Sequence, residues 1–337
     1  MRVAVVGAGS WGTALAWLLG QKGLPVYLWG RDAVQIAALA AERVNRRYLP
    51  EAPLPDTVIP TCDPEPLQAC AVWVLAVPSG ALREALRLCP PPEATLIIAA
   101  KGLEPATGKL LTQVVCEALG NREARTAVLS GPNLAVELVR GAPTASVAAS
   151  SSLLCAEQVQ ELLMTPPILR VYTCDDVVGV ELGGALKNVY AIGAGVSDGL
   201  GFGDNTKATL LTRGLAEMMR FGAAMGARPE TFMGLTGVGD LFATAVSRLS
   251  RNYRFGRAIA EGKTVDEARA ALGQVAEGYP TALAAQSLAA QLGVEMPLLN
   301  AIADILTGKR AIADALQSLM ARPPRGEREF RFTALQG

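Results

Sequence analysis

Short apolar runs alternate with amphipathic stretches through the first half of the chain. RVAVV at residues 2–6 is apolar and rich in β-branched residues, which is typical of a buried parallel strand. Further runs of strand character lie at 25–29, 71–78, 94–103, 126–132, 144–150 and 169–176. Helix formers stand between several of them, as in TALAWLL at 13–19, the stretch from Gly30 and ALREALRL at 81–88. Strands that alternate with helices predict an α/β fold with a doubly wound parallel sheet and helices on both faces.

The pattern changes after about Asp176. Leu182, Leu186, Val189 and Val196 recur at helical spacing, and the stretches 207–226 and 280–293 are also typical of helices. No β-rich run follows, so we expect a second, all-α domain. The predicted domains are residues 1–176 and residues 177–337. The mixed charge run RPPRGEREFRF at 322–332 is expected to be a solvated tail.

Three glycines stand in the order G-x-G-x-x-G between the first predicted strand and the first predicted helix: Gly7, Gly9 and Gly12. A dinucleotide pyrophosphate needs this arrangement. The first glycine permits a tight turn, the second lets the backbone approach, and the third lets helix and strand pack closely. The helix N-terminus then offers free N–H groups to the phosphates. The strand-turn-helix context therefore favours a Rossmann-type dinucleotide-binding domain over a purely structural glycine turn.

The charge balance limits the kinds of partner that the protein is expected to bind. Lys and Arg together number 31, as do Asp and Glu, so the net charge is zero. A nucleic-acid partner would favour a basic surface, so we expect none. Every long apolar stretch is interrupted by Gly, Pro or charge, so we expect no membrane span. The glycine turn also arrives where a signal peptide would still need its apolar region. We therefore expect a cytoplasmic protein that binds a small-molecule substrate.

Histidine is absent from the sequence. Any proton transfer must then use Lys, Asp, Glu, Tyr, Cys or water, which excludes dehydrogenases that depend on an essential histidine. The six cysteines show no C-x-x-C pair, and several lie in strand-like runs. We expect reduced core thiols, with neither a disulfide framework nor a metal site.

The end of the second strand bears on the cofactor. An NAD-binding fold usually places an acidic side chain there, on the ribose hydroxyl. Here Gly30 occupies that place and Arg31 follows it. An arginine pairs well with a 2′-phosphate, which favours NADP, while Asp32 keeps NAD possible. The alternative is an ordinary surface arginine.

Two lysines stand in unusual surroundings. Lys101 lies where a buried strand is predicted to end, the edge at which ligands bind in open α/β sheets. Lys187 lies on an otherwise apolar helix, and Gly183 and Gly184 leave room on its face. Burial near another cation lowers the pKa of an ammonium toward the range of a general acid or base. Lys187 is therefore a candidate for proton transfer.

A third cluster lies at residues 236–256. Asp240 ends a glycine turn, and Ser250, Arg251 and Asn252 supply a fork of donors suited to a phosphate. Taken alone, the cluster has a structural interpretation, in which Asp240 caps a helix and Arg251 makes a salt bridge.

Together these motifs resemble those of a known family. GAGSWGTALA, LWGR, KGLE, SGPNLAVE, VELGGALKNVYAIGAG, GLTGVGDL, SRNYRFG and VAEGYPTA follow one another as in bacterial NAD(P)-dependent glycerol-3-phosphate dehydrogenases. The resemblance covers nearly the whole chain and fades after about residue 310. It implies reversible reduction of dihydroxyacetone phosphate to sn-glycerol 3-phosphate with NADP or NAD, at the entry to glycerophospholipid synthesis. It also implies a two-domain fold of the 6-phosphogluconate dehydrogenase type. Because an apolar α domain after a cofactor domain often dimerises, we expect a homodimer.

Site residues follow from the resemblance by motif match. Lys187 matches the proton donor and acceptor of the family. The substrate pocket would be lined by Lys101, Gly131, Asn133, Asp240, Ser250, Arg251 and Asn252. The cofactor would contact Gly7, Gly9, Ser10, Trp11, Gly12, Arg31, Lys101, Ala135, Arg251, Val275 and Glu277.

The implied chemistry agrees with the residue types. Hydride transfer to the ketone carbon creates an alkoxide, to which Lys187 would give a proton while Lys101 adds positive charge. Asp240 would orient Lys187, and Arg251 and Asn252 would hold the phosphate. Asn133 stands where Thr or Ser is usual in the family, and we expect its amide to donate in their place.

Three alternatives differ in testable ways. A β-hydroxyacid or 6-phosphogluconate type dehydrogenase shares the two-domain plan and a catalytic lysine, and the serine-arginine-asparagine cluster argues against it. A UDP-sugar dehydrogenase needs a nucleophilic cysteine in a glycine-rich loop, and none of the six cysteines has that setting. A non-catalytic NADP sensor would bind the cofactor without consuming it, and predicts loss of the lysine that Lys187 supplies.

Overall fold

The computed structural model describes residues 1–121, 123–324 and 326–327, apart from the side chain of Ala124. The predicted solvated tail at 322–332 falls partly outside these residues, as does the end of the predicted second domain. No helix in the described ranges combines the length and the apolar character needed to cross a bilayer.

The first half of the chain forms an eight-stranded sheet. The strands of the molecule, in chain order, are β1 (Val3–Val6), β2 (Val26–Trp29), β3 (Val44–Asn45), β4 (Leu49–Pro53), β5 (Val58–Thr61), β6 (Val72–Leu75), β7 (Thr95–Ile98), β8 (Thr126–Ser130), β9 (Thr144–Ala149) and β10 (Leu169–Cys174). Strands β3 and β4 form a separate hairpin, and the others pair in the order β10-β9-β8-β7-β6-β1-β2-β5. Each of the seven predicted strands is present in the sheet, which confirms the predicted α/β class.

Helices connect the strands and then make up the second half. In the first half they are α1 (Ser10–Gln21), α2 (Ala33–Glu42), α3 (Leu82–Ala85), α4 (Leu111–Leu119), α5 (Ala135–Val139) and α6 (Leu153–Leu163). The second half contains α7 (Val177–Gly199), α8 (Asp204–Ala224), α9 (Pro229–Phe232), α10 (Asp240–Val246), α11 (Arg251–Ala260), α12 (Val265–Leu272), α13 (Gly278–Leu292), α14 (Pro297–Leu306) and α15 (Ile312–Met320). Short 3₁₀ turns lie at Glu65–Ala69, Ser79–Ala81, Leu86–Leu88 and Glu123–Arg125, and a π turn at Leu235–Gly239. No strand follows Cys174 in the part of the chain that the structure describes, as expected.

One strand pair departs from the predicted parallel sheet. Strands β8 and β9 run antiparallel, with Val128 opposite Ala149. The link between them holds only the five-residue helix α5, which rises about 7 Å at 1.5 Å per residue. A parallel connection needs a longer crossover that returns the chain to the other end of the sheet. The chain therefore turns back, and β9 runs alongside β8 in the opposite direction.

Three short strands were not predicted from the sequence. Strands β3, β4 and β5 lie in a proline-rich stretch, and β4 and β5 contain Pro53 and Pro60. Proline removes a ladder hydrogen bond, so such stretches rarely indicate a strand. Strand β5 is tolerated because it lies at the edge of the sheet, where it pairs only with β2.

Alternate residues of strand β1 pack into two different hydrophobic cores. Val3 and Val5 pack in one cluster, and Ala4 and Val6 pack in another on the opposite face. Side chains of a strand alternate between faces, so the sheet is covered by helices on both sides. This is the doubly wound arrangement that the apolar runs predict.

Helix α7 is the centre of the helical half and is buried along nearly its whole length. Helix α11 packs directly on its backbone. A side chain at Gly195 would collide with the Tyr253 carbonyl, and one at Gly256 would collide with the Ile192 carbonyl. Glycine at these two positions therefore lets the two helices approach closely, which places α11 against the C-terminal part of α7.

We propose that the domain boundary lies between residues 176 and 177. Strand β10 ends at Cys174 and α7 begins at Val177. The Asp176 carboxylate caps α7 by accepting from the Gly179 N–H at 2.9 Å, and it also accepts from the Arg228 N–H at 2.9 Å. The junction is therefore a buried helix cap that also holds α9 in place.

The six cysteines are all free. Cys70 and Cys155 are buried, but Cys89 is exposed and the other three are partly exposed. The expectation of core thiols therefore holds for two of the six. Cys89 lies on a tight left-handed turn at the surface, with φ of 55°.

Candidate active site

A cavity of about 1480 Å³ opens at the carboxyl ends of the central strands. One wall is made by residues that directly follow β1, β2, β6 and β7, namely Gly7, Gly30, Ala76 and Ala99. The facing wall comes from α7, α10, α11 and the segment before α13. Ligands of open α/β sheets bind at this edge, so the cavity lies where the sequence places a site.

The glycine turn at the floor of the cavity has the predicted form. Gly7 has a φ of 117°, and a side chain there would come within 2.6 Å of the Ala76 carbonyl. A side chain at Gly12 would collide with the Gly7 carbonyl. At Gly9 a side chain would enter open space. Gly7 and Gly12 therefore make the turn possible, and Gly9 keeps the surface above it clear.

The N-terminus of α1 faces the cavity without a side-chain cap. Ser10 Oγ donates to the Tyr48 carbonyl at 2.8 Å. Trp11 Nε1 is buried and has no hydrogen-bond partner among the described residues. Uncapped N–H groups and a clear glycine surface are the features that a pyrophosphate needs. The residues present therefore fit a dinucleotide cofactor.

Arg31 reaches the mouth of the cavity. Its guanidinium lies 3.7 Å from the carboxylate of Glu84, and both side chains are largely exposed. Asp32 Oδ1 accepts from the N–H groups of Val34 and Gln35, each at 3.1 Å, and so caps α2. Among the described residues, Arg31 is thus held only by an exposed ion pair and can turn toward a ligand, while Asp32 is engaged in the helix cap.

A buried carboxylate between two lysines lies at the inner end of the cavity. Lys187 Nζ donates to Asp240 Oδ1 at 2.8 Å, and Lys101 Nζ donates to Asp240 Oδ2 at 2.8 Å. Lys187 and Asp240 are only 7% and 1% exposed. A carboxylate buried at that level needs paired charges. Asp240 therefore holds the two ammonium groups on its two oxygens.

Burial and charge set the protonation of this group. Burial lowers the pKa of Lys187 to about 8; the Asp240 carboxylate opposes the shift, and Lys101 and Arg251 add to it. Burial alone would raise the pKa of Asp240, but Lys101 and Lys187 outweigh burial and keep that pKa below its usual value. The site thus combines a fixed anion with a lysine that can release a proton near neutral pH.

Two uncharged residues complete the cluster, and the sequence did not predict either of them. Thr244 Oγ1 accepts from Lys187 Nζ at 2.6 Å. Asn188 Nδ2 donates to the Lys101 carbonyl at 3.2 Å. Neither side chain titrates, so the residue type alone does not mark either one as a candidate for catalysis. The available signal was spacing, because Thr244 lies one turn after Asp240 on α10 and therefore on the same face.

The three donors at 250–252 have different surroundings. Ser250 caps α11 by accepting from the Tyr253 N–H at 3.2 Å. Asn252 Nδ2 donates to Asn188 Oδ1 at 2.8 Å, and Asn252 Oδ1 accepts from the Gly278 N–H at 2.9 Å.

Arg251 lines the cavity and is half-buried. Its side chain makes no hydrogen bond or ion pair with the described residues. Of the predicted fork, the Arg251 guanidinium is therefore the group that faces the cavity without a bonded protein partner.

The loop after β8 contacts Lys101 and brings Asn133 to the wall of the cavity. The Gly131 carbonyl accepts from Lys101 Nζ at 2.7 Å. Asn133 Nδ2 donates to the Ala145 carbonyl and to Ser146 Oγ, each at 2.9 Å. Strand β9 thus accepts the Asn133 amide donors in this structure, and donation by Asn133 to a ligand stays a prediction. Asn133 Oδ1 is buried and has no partner within the described residues.

The remaining predicted contacts lie around the same cavity. Ala135 begins α5, and Val275 and Glu277 belong to the segment before α13. The Glu277 carboxylate accepts from the Ser79 N–H at 3.1 Å and from Ser79 Oγ at 2.6 Å. Burial raises its pKa. Glu277 therefore links the helical half to the turn after β6, across the groove.

The cavity is rich in positive charge. Among the described residues, nine cationic side chains line it: Arg31, Arg47, Arg87, Lys101, Lys187, Arg248, Arg251, Arg254 and Arg269. Four carboxylates do so: Asp32, Glu84, Asp266 and Glu277. This excess suits ligands that carry phosphates. Within the described ranges no cluster of three or more His, Cys, Asp or Glu side chains could hold a metal ion.

Two family models match the chain in succession. Residues 2–156 match the model for the NAD-dependent glycerol-3-phosphate dehydrogenase N-terminus, and residues 176–317 match the model for the C-terminus of the same family.

Individual relatives and a solved structure carry the same family name as the matching models. The chain is 46% identical over 329 residues to a glycerol-3-phosphate dehydrogenase [NAD(P)+] of Geobacillus kaustophilus strain HTA426, which covers 96% of each chain. It is 48% identical over 329 residues to the enzyme of that name from Edwardsiella ictaluri strain 93-146, covering 96% of this chain and 97% of the relative. The crystal structure of glycerol-3-phosphate dehydrogenase from Coxiella burnetii superposes with a TM-score of 0.90 at 39% identity, over 95% of this chain and 99% of that one.

Proposed function

The chain belongs to the NAD-dependent glycerol-3-phosphate dehydrogenase family, and we propose from its site how it carries out the reaction of that family. It is an oxidoreductase that uses NAD or NADP to interconvert dihydroxyacetone phosphate and sn-glycerol 3-phosphate. We assign this reaction to the supply of glycerol 3-phosphate for glycerophospholipid synthesis. The observation that carries the proposed mechanism is the buried Asp240 carboxylate with one lysine ammonium on each oxygen.

Lys187 is the proposed proton donor and acceptor. An ammonium has three N–H donors, and Lys187 uses two of them on Asp240 and Thr244. The third is free for the carbonyl oxygen of the substrate. Nicotinamide, when bound, supplies a hydride to the carbonyl carbon. Lys187 Nζ then gives its proton to the oxygen that becomes the hydroxyl, and in the reverse direction the neutral amine takes that proton back.

Lys101 is proposed to stabilise the charge that develops on the same oxygen. It also uses two N–H groups, on Gly131 and Asp240. Because these bonds are in place before the substrate arrives, the positive charge needs no rearrangement during the reaction. Asp240 keeps both lysines at fixed positions, which makes it a positioning residue for the pair.

Arg251 is the proposed phosphate ligand of the substrate. Its guanidinium faces the cavity without a bonded partner among the described residues, and a guanidinium matches the geometry of phosphate oxygens. Ser250 and Asn252 support it by capping α11 and by fixing the start of that helix to Asn188 and Gly278. A second N–H of Asn252 Nδ2 remains for the phosphate.

The proposed cofactor contacts lie along the groove from α1 to α13. The first turn of α1, with Gly9, Ser10 and Trp11, would hold the pyrophosphate. Ala135, Val275 and Glu277 would flank the nicotinamide half, together with Lys101 and Arg251. Arg31 favours NADP because its guanidinium, which is exposed and 3.7 Å from Glu84, can turn to pair with a 2′-phosphate.

The test is oxidation of reduced cofactor in the presence of dihydroxyacetone phosphate. The purified protein is mixed with the ketone and either NADPH or NADH, and the loss of nicotinamide absorbance is followed. We expect rapid loss, and a turnover lower by about 100-fold or more in Lys187→Ala, in line with removal of a general acid. Lys309→Ala, at an exposed lysine far from the cavity, is the matched control.

The outcome separates the alternatives. Binding of NADPH without any oxidation in the wild type would support a sensor and contradict the proposed reaction. Near-normal turnover in a folded Lys187→Ala variant would remove Lys187 from the proton-transfer role.

We further propose that the enzyme is a cytoplasmic homodimer. Six unpaired thiols, with Cys89 exposed, fit a reducing compartment. Phe242 and Val246 lie four residues apart on α10 and are 43% and 58% exposed. Large apolar side chains exposed on one helix face favour contact with another subunit. Light scattering during size-exclusion chromatography gives the mass, and a monomer at micromolar concentration would contradict the dimer.

A further inference from the structure

Arg31 and Glu84 face each other across the outer end of the cavity. Strand β1 carries the phosphate turn, and β2 and β6 flank it on either side. Arg31 follows β2, and Glu84 lies in α3, which follows β6. Their charged groups are 3.7 Å apart, and the side chains are 77% and 69% exposed. The pair therefore spans the groove next to the phosphate turn, with both groups free to contact a ligand.

The usual position for a carboxylate on this groove is occupied by Gly30, which has no side chain. A side chain there would come within 2.7 Å of Ile36 Cδ1, so Ile36 would have to move to admit one. Asp32 has its Oδ1 engaged in capping α2. Asp266 and Glu277, the other carboxylates that line the cavity in the described ranges, belong to the helical half. Glu84 is the carboxylate that forms an ion pair with Arg31.

The surroundings of Glu84 fit the adenosine half of a dinucleotide. Ala81, Ala85 and Leu88 line the cavity beside it and present a small, apolar surface. A flat aromatic ring packs well on such a surface, and a ribose attached to that ring would lie between the surface and the phosphate turn.

We infer that Glu84 is a specificity-determining residue that opposes Arg31 in the choice between NAD and NADP. Its carboxylate accepts a hydrogen bond from the adenosine 2′-hydroxyl of NAD and repels the 2′-phosphate of NADP. Arg31 pairs with that phosphate. With both charges present, the affinities for NAD and NADP differ less than they would with Arg31 alone. This inference rests on the proposed function, since it concerns the cofactor of that reaction.

The first test measures binding without catalysis. Adenosine 2′,5′-bisphosphate and adenosine 5′-phosphate are titrated into the wild type, Glu84→Gln and Glu157→Gln by calorimetry at low salt. Glu157 is exposed on α6 away from the cavity, so it controls for the loss of one negative charge. We expect Glu84→Gln to bind the 2′,5′-bisphosphate about fivefold more tightly, and the 5′-phosphate more weakly.

The second test uses the complete reaction. The ratio of kcat/KM with NADPH to kcat/KM with NADH should rise about fivefold or more in Glu84→Gln and fall in Arg31→Ala. The double variant should return toward the wild-type ratio. Unchanged binding and an unchanged ratio in Glu84→Gln, matching Glu157→Gln, would overturn the inference. A wild type that oxidises neither cofactor would contradict the proposed function instead, and the binding test would still decide the role of Glu84.

Discussion

At the scale of single residues, Asp240 determines how the two lysines behave. Each of its oxygens holds one ammonium, so the three groups together carry one net positive charge. Without this carboxylate, Lys187 would face the Lys101 ammonium with no anion between them, and the pKa of Lys187 would fall further. With it, Lys187 keeps a pKa of about 8 although only 7% of the residue is exposed. This value is suited to a group that gives and takes a proton in turn.

The pH dependence of the two directions follows from that pKa. Below about pH 8, Lys187 is protonated, as reduction of dihydroxyacetone phosphate requires. Above about pH 8, the neutral amine predominates, as oxidation of glycerol 3-phosphate requires. We expect kcat/KM for dihydroxyacetone phosphate to fall about tenfold per pH unit above this value. For glycerol 3-phosphate, kcat/KM should rise with pH up to about pH 8 and then level off.

Initial rates in both directions between pH 6 and 10, at constant ionic strength, check this prediction. Profiles that are flat through this range in both directions would show that another group or a different step controls the rate.

At the scale of elements, local turns and distant caps have different origins. The turn from β1 to α1 is local, because three glycines within six residues make it possible. Other helix ends depend on residues far away in the chain. Lys22, next to the end of α1, donates to the carbonyls of Glu161, Leu162 and Met164 at the end of α6. A lysine there satisfies the carbonyl groups that a helix leaves without partners.

Substitutions in the glycine turn should separate folding from cofactor binding. In Gly12→Ala the new methyl group collides with the Gly7 carbonyl, so the turn must open, and we expect both a lower melting temperature and loss of NADPH binding. In Gly9→Ala the methyl group enters open space in the groove, so the melting temperature should stay within about 2 °C while NADPH binds at least about tenfold more weakly. Thermal melts with and without NADPH measure both. Equal melting temperatures for the two variants would contradict this assignment.

The cap that Lys22 provides should contribute measurably to stability. Lys22→Met keeps most of the side-chain length but leaves three carbonyls of α6 to water, so we expect a loss of about 1–2 kcal/mol. Circular dichroism melts show this as a fall in the melting temperature. Lys263→Met is the control, because Lys263 is exposed and its side chain makes no hydrogen bond or ion pair with the described residues. An equal effect of both substitutions would argue against a cap at this position.

At the scale of the whole molecule, polar contacts join the two halves around the groove. Glu277 binds Ser79, and Ser10 Oγ lies 3.4 Å from Gln274 Oε1. A chain of buried amides also runs from the Lys101 carbonyl through Asn188 and Asn252 to the Gly278 N–H. These contacts fix the proposed catalytic lysines relative to the segment before α13. The site therefore depends on how the halves are held together as well as on its own residues.

Removing the Ser79 hydroxyl should loosen this connection. In Ser79→Ala the Glu277 carboxylate keeps the backbone N–H of residue 79 but loses the 2.6 Å bond from Oγ. We expect amides at 273–278 to exchange with solvent faster, and the dissociation constant for NADPH to rise about threefold to tenfold. Hydrogen exchange with mass spectrometry and fluorescence titration measure these changes. Ser151→Ala, at an exposed serine outside the cavity, is the control. Unchanged exchange in Ser79→Ala would show that Glu277 is held by other groups.

Features that arise from neighbouring residues could be predicted from the sequence. Apolar runs predicted the seven main strands, since a buried parallel strand needs a nearly continuous apolar stretch. The glycine turn followed from spacing, and Lys187 stood out as a lysine on an apolar helix. In each case the signal is local, because strand period, turn geometry and the cost of burying a charge act over a few residues.

Features that join distant parts of the chain depend on the tertiary fold. The bond from Lys187 to Asp240 spans 53 residues, and the bond from Lys101 to Asp240 spans 139. Asn133 gives its amide to β9 because β8 and β9 run antiparallel, and Glu84 reaches Arg31 because β2 and β6 flank β1. Hydrogen bonds and ion pairs require atoms within a few ångströms. Which distant side chains come that close is set by strand order and helix packing, and the spacing of residues in the sequence does not contain that information.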